Sequence, residues 1–308
     1  MNILVTGGAG FIGSHIVDAL VLQGHNVHVI DDLSGGFEQN VHRGATFHPI
    51  SIEGPEVAKL WSEHRFEVMF HLAAQMDVRK SVADPVFDAR INVLGLLHLL
   101  EVGRHNGLRK VVFSSTGGAI YGEPDYVPQD EAHVNRPESP YGITKLVSEH
   151  YLRFYHTTYG IEWVALRYAN VYGPRQNAHG EAGVVAIFAQ KMLKNEQCHI
   201  NGDGLQTRDF VYVKDVVDAN MRALKFEGNG IFNVGTGIET DLITLFRHIK
   251  ALTGSKIPEA HADAKPGEQR RSVIGTKLIE DTMGWRRQYD LKVGLAETVG
   301  YFRSRLKS

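Results

Sequence analysis

A glycine-rich turn near the start of the chain limits most strongly what this sequence can fold into. The turn is Thr6-Gly-Gly-Ala-Gly-Phe-Ile-Gly13. It follows an apolar run at 2–6 that is typical of a buried strand, and it precedes 14–23, where apolar residues recur at helical spacing. A strand, a glycine turn and a helix N-terminus form a cradle for a pyrophosphate, because helix N–H groups attract the anion and glycine lets it approach the backbone. The spacing of Gly7, Gly10 and Gly13 differs from the common GxGxxG pattern.

The chain alternates short apolar runs with helical patterns. Strands are predicted at 3–5, 26–30, 45–48, 67–71, 110–114, 163–167, 198–200, 209–211 and 231–234, and helices at 14–23, 55–64, 86–105, 141–159, 183–194, 214–225 and 292–306. In the first half this alternation is typical of a parallel sheet with helices on both faces. We therefore expect an α/β protein with a Rossmann-type doubly wound parallel sheet over residues 1–172 and a smaller α/β domain over 173–308, and 210–236 is a segment that could return to the first sheet.

Composition argues against several classes of function. The 308 residues carry 33 basic and 35 acidic side chains, a formal net charge of −2, which disfavours nucleic acid or an anionic membrane as a partner. The 16 histidines form neither an HExxH motif nor a Cys/His cluster, so no metal site is predicted. Cys198 is the single cysteine, which suits a reducing compartment. Without a signal-type leader or a membrane-spanning apolar run, we expect a soluble cytoplasmic protein.

Acidic and small residues follow two of the predicted strands. Asp31 and Asp32 end the second strand, about twenty residues beyond the glycine turn, where a carboxylate accepts hydrogen bonds from an adenosine ribose and repels a 2′-phosphate. These two residues therefore favour NAD over NADP. The fourth strand ends in Leu72, Ala73, Ala74 and Gln75, whose small side chains let a flat ligand lie against the backbone.

A tyrosine and a lysine lie four residues apart at the start of a predicted helix. Tyr141 and Lys145 share one helix face, and a nearby ammonium stabilises a phenolate, so we expect the pKa of Tyr141 to fall toward a range useful for proton transfer. The strand end at Ser114, Ser115 and Thr116 supplies a hydroxyl to the same crevice. Thr116 is the preferred hydroxyl, and Ser115 is the alternative.

Together these residues resemble the extended short-chain dehydrogenase/reductase superfamily and, within it, the UDP-glucose (UDP-galactose) 4-epimerases. The matching segments run through most of the chain: TGGAGFIG at 6–13, HLAA at 71–74, SST at 114–116, YxxxK at 141–145, LRYANVYGP at 166–174, RDFVYV at 208–213, NVGTG at 233–237 and PGE at 266–268. The resemblance implies epimerisation at C4 of a UDP-sugar through a transient 4-keto intermediate, with a tightly held NAD.

The resemblance also implies roles for individual residues. Tyr141 would exchange the proton of the 4-hydroxyl, Thr116 would hydrogen-bond the 4-oxygen, and Lys145 would hold the nicotinamide ribose and lower the pKa of Tyr141. Besides the residues named above, cofactor contacts are implied at Phe11, Ile12, Ser51, Ile52, Asn92, Ser114 and Tyr168. Ser51 replaces an aspartate that contacts adenine in many relatives.

Substrate contacts are implied in the second half. Besides Thr116 and Tyr141, they are Asn170, Gly183, Val184, Arg208, Lys265, Glu268, Arg271 and Ser272. Arg208 offers a planar fork to phosphate oxygens, which Lys265 or Arg271 would complement, and Glu268 would accept hydrogen bonds from the nucleotide ribose. Ser272 occupies the position at which bulky residues exclude N-acetylated sugars, so we expect activity on UDP-N-acetylglucosamine or its galacto epimer.

Two alternatives stay open on the sequence. Another nucleotide-sugar enzyme of the same superfamily, such as a UDP-glucuronate 4-epimerase or decarboxylase, is the nearest. A 4,6-dehydratase is disfavoured because Gly117 and Gly118 stand where Asp-Glu is expected. A non-catalytic NAD-binding regulator is more distant, since it would be expected to lose Tyr141 or Lys145. The resemblance also implies a homodimer, formed through the helices at 86–105 and 141–159.

Overall fold

The computed structural model describes residues 1–177, 183–264 and 269–306. The chain divides into two compact units. The first unit comprises 1–120, 137–167 and 217–232, and the second comprises 121–136, 168–216 and 233–308.

This division differs from a single boundary at residue 172. The segment 121–136 belongs to the second unit because its hydrogen-bond partners lie there: the Tyr121 hydroxyl donates to Asn233 Oδ1 (2.7 Å) and the Gln129 N–H donates to the Val273 carbonyl (2.9 Å). Part of the segment 210–236 does return to the first sheet, as a strand at its edge.

A seven-stranded parallel sheet organises the first unit. Its strands are β1 (Asn2–Thr6), β2 (Asn26–Ile30), β3 (Thr46–His48), β4 (Val68–His71), β5 (Lys110–Thr116), β6 (Glu162–Tyr168) and β11 (Gly230–Val234). Their order is β11-β6-β5-β4-β1-β2-β3, and β1 pairs in parallel with both β2 and β4. The order reverses between β1 and β4, and in sheets of this kind the crevice beyond that point receives the ligand. The Rossmann-type prediction is confirmed.

The helices of this half of the chain are α1 (Phe11–Leu22), α2 (Glu56–His64), α3 (Val78–Ala83), α4 (Pro85–Ala89), α5 (Gly95–Arg104), α6 (Gly117–Ile120) and α7 (Pro140–Tyr159). Local chemistry explains the ends of α7. The Ser139 hydroxyl accepts from the Gly142 N–H (3.2 Å), Pro140 occupies the first position, and Gly160 ends the helix at φ +74°. The core beneath these helices includes Trp61, Leu99 and Val111.

The helix predicted at 86–105 is interrupted. After α4 the backbone forms a π-helical segment, Arg90–Leu94, before α5 begins. Asn92 lies inside this segment and is buried. Such segments are rare and are frequently found at functional sites.

Short strands and longer helices build the second unit and complete the chain. They are β7 (Asn170–Tyr172), α8 (Val184–Leu193), β8 (Ile200–Asn201), β9 (Thr207–Arg208), β10 (Phe210–Tyr212), α9 (Val213–Lys225), β12 (Thr240–Asp241), α10 (Leu242–Thr253), β13 (His261–Ala262), β14 (Arg271–Ser272), α11 (Lys277–Met283) and α12 (Leu291–Arg305). Three of the strands form a small sheet in the order β12-β9-β14, and α8, α10 and α12 pack together.

Four helices were not anticipated: α3, α6, α10 and α11. In α10 the signal was present, because Asp241 caps the helix by accepting from the Thr244 N–H (2.7 Å) and Gly254 ends it at φ +74°. Within the described part of the chain, no helix has the length and apolar character needed to cross a membrane. The same residues contain no group of three or more His, Cys, Asp or Glu side chains arranged to hold a metal ion.

Candidate active site

The backbone of the glycine turn packs closely against itself and against the segment that follows β4. Gly7 has φ +69°, and a Cβ there would lie 2.7 Å from the Ala73 nitrogen at the end of β4. A Cβ on Gly13 would lie 2.2 Å from the Gly7 carbonyl oxygen. Gly10 precedes the first residue of α1, whose N-terminus has no side-chain cap. The turn therefore requires glycine, and it leaves the N-terminus of a 12-residue helix available to a pyrophosphate.

Asp31 follows β2 and bonds the glycine turn. Its carboxylate accepts from the N–H groups of Ala9 (3.0 Å) and Leu33 (2.9 Å). Burial raises its pKa, and these two hydrogen bonds oppose the rise. A carboxylate has about four acceptor positions, so two bonds leave room for ribose hydroxyls. The exposed Asp32 instead accepts from the Ser34 backbone and hydroxyl. Asp31 is therefore better placed by its contacts than Asp32 for the predicted ribose contact.

The end of β4 is held by a buried threonine and histidine. Thr6 Oγ1 accepts from the N–H groups of Leu72 (3.3 Å) and Ala73 (3.2 Å), and it lies 2.8 Å from His71 Nδ1. Since both acceptor positions of the hydroxyl are used, the hydroxyl donates to His71. Burial and the nearby Lys145 lower the pKa of His71 to about 3. His71 is therefore a neutral acceptor that positions the strand end bordering the predicted cofactor.

Asn92 and Gln75, two predicted cofactor residues, bond each other. Asn92 Oδ1 accepts from the Gln75 N–H (2.8 Å), and Asn92 Nδ2 donates to the Gln75 carbonyl (2.9 Å). Ser51 also has a local bond, since its hydroxyl accepts from the Glu53 N–H (3.2 Å). The packing of Ile52 is close, because a Cβ on Gly95 would lie 2.6 Å from its Cδ1. Direct contact of these residues with NAD stays a prediction.

Lys145 is buried beside the end of β5. Its Nζ donates to the Ser114 carbonyl (2.8 Å) and lies 4.7 Å from the centre of the Phe113 ring and 5.9 Å from that of Tyr141. Burial lowers the pKa of Lys145 to about 8, although the charges of Asp88 and Glu149 oppose this change. The structure thus brings the predicted tyrosine–lysine pair and the β5 strand end together in the first unit.

Tyr141 differs from the expectation in one respect. We expected Lys145 to lower the pKa of Tyr141, but the pKa is raised, first by burial and then by the charge of Asp88. The physical reason is that the phenolate loses hydration in this site and faces a carboxylate, whereas the lysine is already hydrogen-bonded to the Ser114 carbonyl. Tyr141 is therefore a protonated acid at neutral pH in the protein alone.

The two candidate hydroxyls after β5 have different surroundings. Ser115 is buried, and its hydroxyl donates to Glu149 Oε1 (2.6 Å). The Glu149 carboxylate also accepts hydrogen bonds from Nε (2.9 Å) and Nη2 (2.6 Å) of Arg167. Thr116 is partly exposed, and its hydroxyl has no hydrogen-bond partner among residues 1–177, 183–264 and 269–306. These surroundings favour Thr116 as the hydroxyl that meets a substrate.

The second unit holds Asn170, Arg208 and Ser272. The Asn170 N–H on β7 donates to the Asp209 carbonyl (2.9 Å), and Arg208 on β9 pairs in parallel with Ser272 on β14. Arg208 is partly buried, and one guanidinium nitrogen donates to the Thr207 carbonyl (2.8 Å). Ser272 is buried, so a small polar side chain lies next to Arg208, the residue predicted to bind phosphate. Arg208 and Ser272 are thus neighbours through strand pairing.

Other predicted substrate residues are less directly placed. The guanidinium of Arg271 donates to both oxygens of Glu239 (2.8 and 2.6 Å), so any phosphate contact would compete with this ion pair. Gly183 and Val184 begin α8. Tyr168 is buried in the second unit. Lys265 and Glu268 lie outside the described residues.

Sequence reasoning missed several buried charged residues around these sites. They are Asp88, Glu149 and Arg167 in the first unit and Asp209 in the second. Glu149 had a signal, because it lies one helical turn after Lys145 on the same face. Asp209 accepts from the N–H groups of Thr236 (2.9 Å) and Gly237 (3.1 Å), and burial raises its pKa to about 6. Its position beside Arg208 was visible, but its partners were not.

The arrangement in the first unit can exchange a proton with a hydroxyl group and can hold a dinucleotide. A phenol, an ammonium and a strand-end hydroxyl supply the proton chemistry, and the uncapped helix N-terminus with its glycine turn suits the pyrophosphate. The residues present therefore fit a dinucleotide cofactor.

Comparison with known proteins agrees with this interpretation. The model of the NAD dependent epimerase/dehydratase family matches residues 3–235. The chain is 48% identical to the UDP-glucose 4-epimerase of Thermotoga maritima, solved with UDP-glucose, with a TM-score of 0.97 over 99% of this chain and 100% of that chain. It is 44% identical to the UDP-glucose 4-epimerase of Thermus thermophilus, solved with NAD, with a TM-score of 0.93 over 98% and 99% of the two chains.

A third similar structure is the UDP-N-acetylglucosamine 4-epimerase of Methanobrevibacter ruminantium, solved with UDP-N-acetylmuramic acid. It is 36% identical, with a TM-score of 0.93 over 99% of this chain and 98% of that chain. The resemblance inferred from the motifs is confirmed. The chain belongs to the NAD dependent epimerase/dehydratase family.

Proposed function

We propose that the protein is an NAD-dependent 4-epimerase that interconverts UDP-glucose and UDP-galactose through a transient 4-keto sugar. The observation that carries the proposal is the pair of Tyr141 and the buried Lys145 at the end of β5, in a chain similar over its whole length to UDP-glucose 4-epimerases. The family requires NAD, and the glycine turn and Asp31 suit that cofactor.

NAD, when bound, supplies reversible hydride exchange at C4 of the sugar. Tyr141 first loses its own proton to solvent, and the phenolate then accepts the proton of the 4-hydroxyl as the hydride leaves C4, and returns it when the hydride comes back. The Lys145 ammonium, held on the Ser114 carbonyl, stabilises the phenolate that this exchange requires, against the burial and the Asp88 charge that oppose it. The Thr116 hydroxyl hydrogen-bonds the 4-oxygen and orients it. Asn170 and Arg208 of the second unit bind the diphosphate.

An assay of nucleotide-sugar conversion tests this function. Purified protein is incubated separately with UDP-glucose, UDP-galactose and UDP-glucuronate, and the epimers are resolved by chromatography. We expect interconversion of the first two sugars and a loss of turnover of at least about 100-fold in Tyr141→Phe. Tyr151→Phe, the same change further along α7, is the control. Near-normal turnover by Tyr141→Phe, or conversion of UDP-glucuronate alone, would contradict the proposal.

A second activity, on the N-acetylhexosamine pair, is favoured by the buried Ser272 beside Arg208. A serine leaves room for an acetamido group where a bulky residue would not. We expect turnover of UDP-N-acetylglucosamine by the wild-type protein and its selective loss in Ser272→Tyr, with UDP-glucose turnover retained. No turnover of the acetylated pair by the wild type would refute this extension.

We also propose a cytoplasmic homodimer. Apolar side chains are exposed on α4, the π-helical segment and α7, including Val86 (77% exposed), Leu94 (57%) and Phe154 (49%). Adjacent helix faces of this kind suit a symmetric contact with a second copy. A cytoplasmic location is supported by Cys198, which is buried and makes no disulfide. Fractionation of the source cells tests the location.

A further inference from the structure

A buried carboxylate in the first unit lies near the catalytic pair but gives up and takes no proton in the exchange described above. Asp88 on α4 is fully buried. Its Oδ1 accepts from Gln75 Nε2 (2.9 Å) and Asn92 Nδ2 (3.1 Å), and its Oδ2 accepts from the Thr144 hydroxyl (2.8 Å). Burying a carboxylate costs several kcal/mol unless donors compensate it, and here three side chains do so.

The side chain that donates to Asp88 Oδ2 and those that donate to Asp88 Oδ1 belong to different parts of the site. Thr144 directly precedes Lys145, and its hydroxyl also lies within hydrogen-bond distance of the Tyr141 carbonyl (3.0 Å). Asp88 is therefore bonded to the turn of α7 that carries the catalytic pair.

On the other side, Gln75 ends the segment after β4 that borders the predicted cofactor. Asn92 bonds both the N–H and the carbonyl of Gln75, while its Nδ2 also donates to Asp88. Asn92 lies in the π-helical segment, four residues after Asp88, and both side chains bond Gln75. One carboxylate thus joins α7, the π-helical segment and the cofactor edge.

We propose that Asp88 is a positioning residue of the reaction: its carboxylate holds the catalytic turn of α7 in register with the β4 edge at which the cofactor lies. The proposal rests on the proposed epimerase function. A displacement of about 1 Å between reacting groups costs about 100-fold in rate, so a buried network that sets this distance has a large effect on turnover.

Asp88 also acts through its charge, since it raises the pKa of both Tyr141 and Lys145. Glu149 on α7 also raises the pKa of Lys145, and it pairs with Arg167. The remaining charged or titratable groups on the elements packed against α4 are Arg79 and Lys80 on α3, Arg90 in the π-helical segment, and His150, Tyr151, Arg153, Tyr155, His156 and Tyr159 further along α7. Arg79, Lys80, Arg90 and Arg153 are exposed, so solvent screens their charges. Asp88 is the charged group that raises the pKa of both members of the pair.

Two variants separate the hydrogen bonds from the charge. Asp88→Asn keeps the shape: the amide oxygen can accept from Gln75 and Asn92, and the amide nitrogen can donate to Thr144, whose own proton turns to the Tyr141 carbonyl. Asp88→Ala removes every bond. The control is Asp84→Asn, which makes the same change at the exposed N-cap of α4, where the side chain accepts from the Phe87 N–H (2.9 Å).

Turnover, pH profile and NAD affinity are measured for each variant. In Asp88→Ala we expect kcat to fall at least about tenfold, KM for the UDP-sugar to change little, and NAD affinity to weaken. In Asp88→Asn we expect NAD affinity within about twofold of wild type and the rising limb of the pH profile to move to lower pH by about one unit, because the pKa of the pair falls. Asp84→Asn is expected to match wild type.

The proposal is overturned if Asp88→Ala retains wild-type kcat and NAD affinity, or if Asp88→Asn leaves the pH profile unmoved. Should Asp88→Ala fail to fold, Thr144→Val, which removes the hydrogen bond from α7 to Asp88 Oδ2, replaces it in the same measurements of kcat and NAD affinity. A wild-type protein without epimerase activity would refute the proposed function, and the ratio of NAD dissociation constants between Asp88→Ala and wild type would then still test the positioning role.

Discussion

At the scale of single residues, two adjacent hydroxyls illustrate how a chemical role follows from partners. Ser115 and Thr116 have the same functional group and neighbouring positions on β5. The Ser115 hydroxyl is committed to Glu149, which already carries the guanidinium of Arg167 (2.6 Å). Thr116 is partly exposed at the strand end. A hydroxyl committed to a buried ion pair serves the fold, whereas an uncommitted one can serve a substrate.

We therefore predict opposite phenotypes for two single substitutions. Thr116→Val should lower kcat by about tenfold to 100-fold, because the hydroxyl that orients the 4-oxygen is lost. Its free energy of unfolding should stay within about 0.5 kcal/mol of the wild-type value, because that hydroxyl is partly exposed. Ser115→Ala should keep most of the turnover and lose about 1–3 kcal/mol of stability, because a buried acceptor loses its donor. Steady-state kinetics and urea unfolding measure both, and the reverse pattern would assign the catalytic hydroxyl to Ser115.

Arg208 carries the second prediction at this scale. Arg208→Gln removes the planar fork beside Ser272, so the dissociation constant for the UDP-sugar should rise at least about tenfold while that for NAD changes little. Isothermal calorimetry with each ligand measures the difference. Arg247→Gln, at an exposed arginine on α10 paired with Glu259 (3.3 Å), is the matched control. Equal losses for NAD and UDP-sugar in Arg208→Gln would refute the role.

At the scale of elements, the edge formed by β2, β3 and α2 carries three histidines in contact. His28 Nδ1 lies 3.0 Å from His48 Nε2, and the rings of His28 and His64 have centres 4.2 Å apart. Burial and the two neighbouring histidines lower the pKa of His28 to about 4, and the pKa of His48 is also lowered. In the unfolded chain a histidine titrates near 6.5. This edge of the sheet therefore resists protonation when folded.

The pH dependence of stability follows from that difference. The stability that the neutral His28 contributes to the folded state is complete above pH 6.5 and is lost as the pH falls toward 4. The reason is that His28 in the unfolded chain then binds a proton that it does not bind in the folded protein. Between pH 7 and 4.5, wild type should lose about 1–2 kcal/mol more than His28→Val. Urea unfolding at the two pH values measures this, with the exposed His105→Gln as control. An equal acid loss in wild type and His28→Val would contradict the prediction.

Elements also differed in how well local patterns predicted them. The limits of α7 were predicted to within one residue, because Ser139, Pro140 and Gly160 encode them locally. The interruption of the helix at Asn92 was not predicted, since it depends on bonds between Asn92 and Gln75, which follows another strand. The helix α10 was missed although Asp241 and Gly254 mark both its ends.

At the scale of the whole molecule, the exposed apolar faces on α4 and α7 make the oligomeric state testable. Because a C₂ interface uses the same patch twice, one charge introduces two repulsions. We predict that wild type is a dimer and that Phe154→Glu is a monomer in sedimentation equilibrium. The control is Leu22→Glu on α1, which places the same charge at another exposed leucine (80% exposed). A monomeric wild type, or a dimer unaffected by Phe154→Glu, would contradict the interface.

The sequence by itself determined the parallel sheet, the dinucleotide turn, the tyrosine–lysine pair and the family, because each depends on residues close together in the chain. Strand alternation, glycine spacing and the four-residue step of a helix are local properties. Only the tertiary structure decided which unit holds 121–136, that Ser115 is committed to Glu149, and that Asp88 joins α7 to Gln75. Such features depend on burial and on partners from other elements. For the same reason the pKa of Tyr141 lies above its usual value, whereas the local motif alone predicted a lowered pKa.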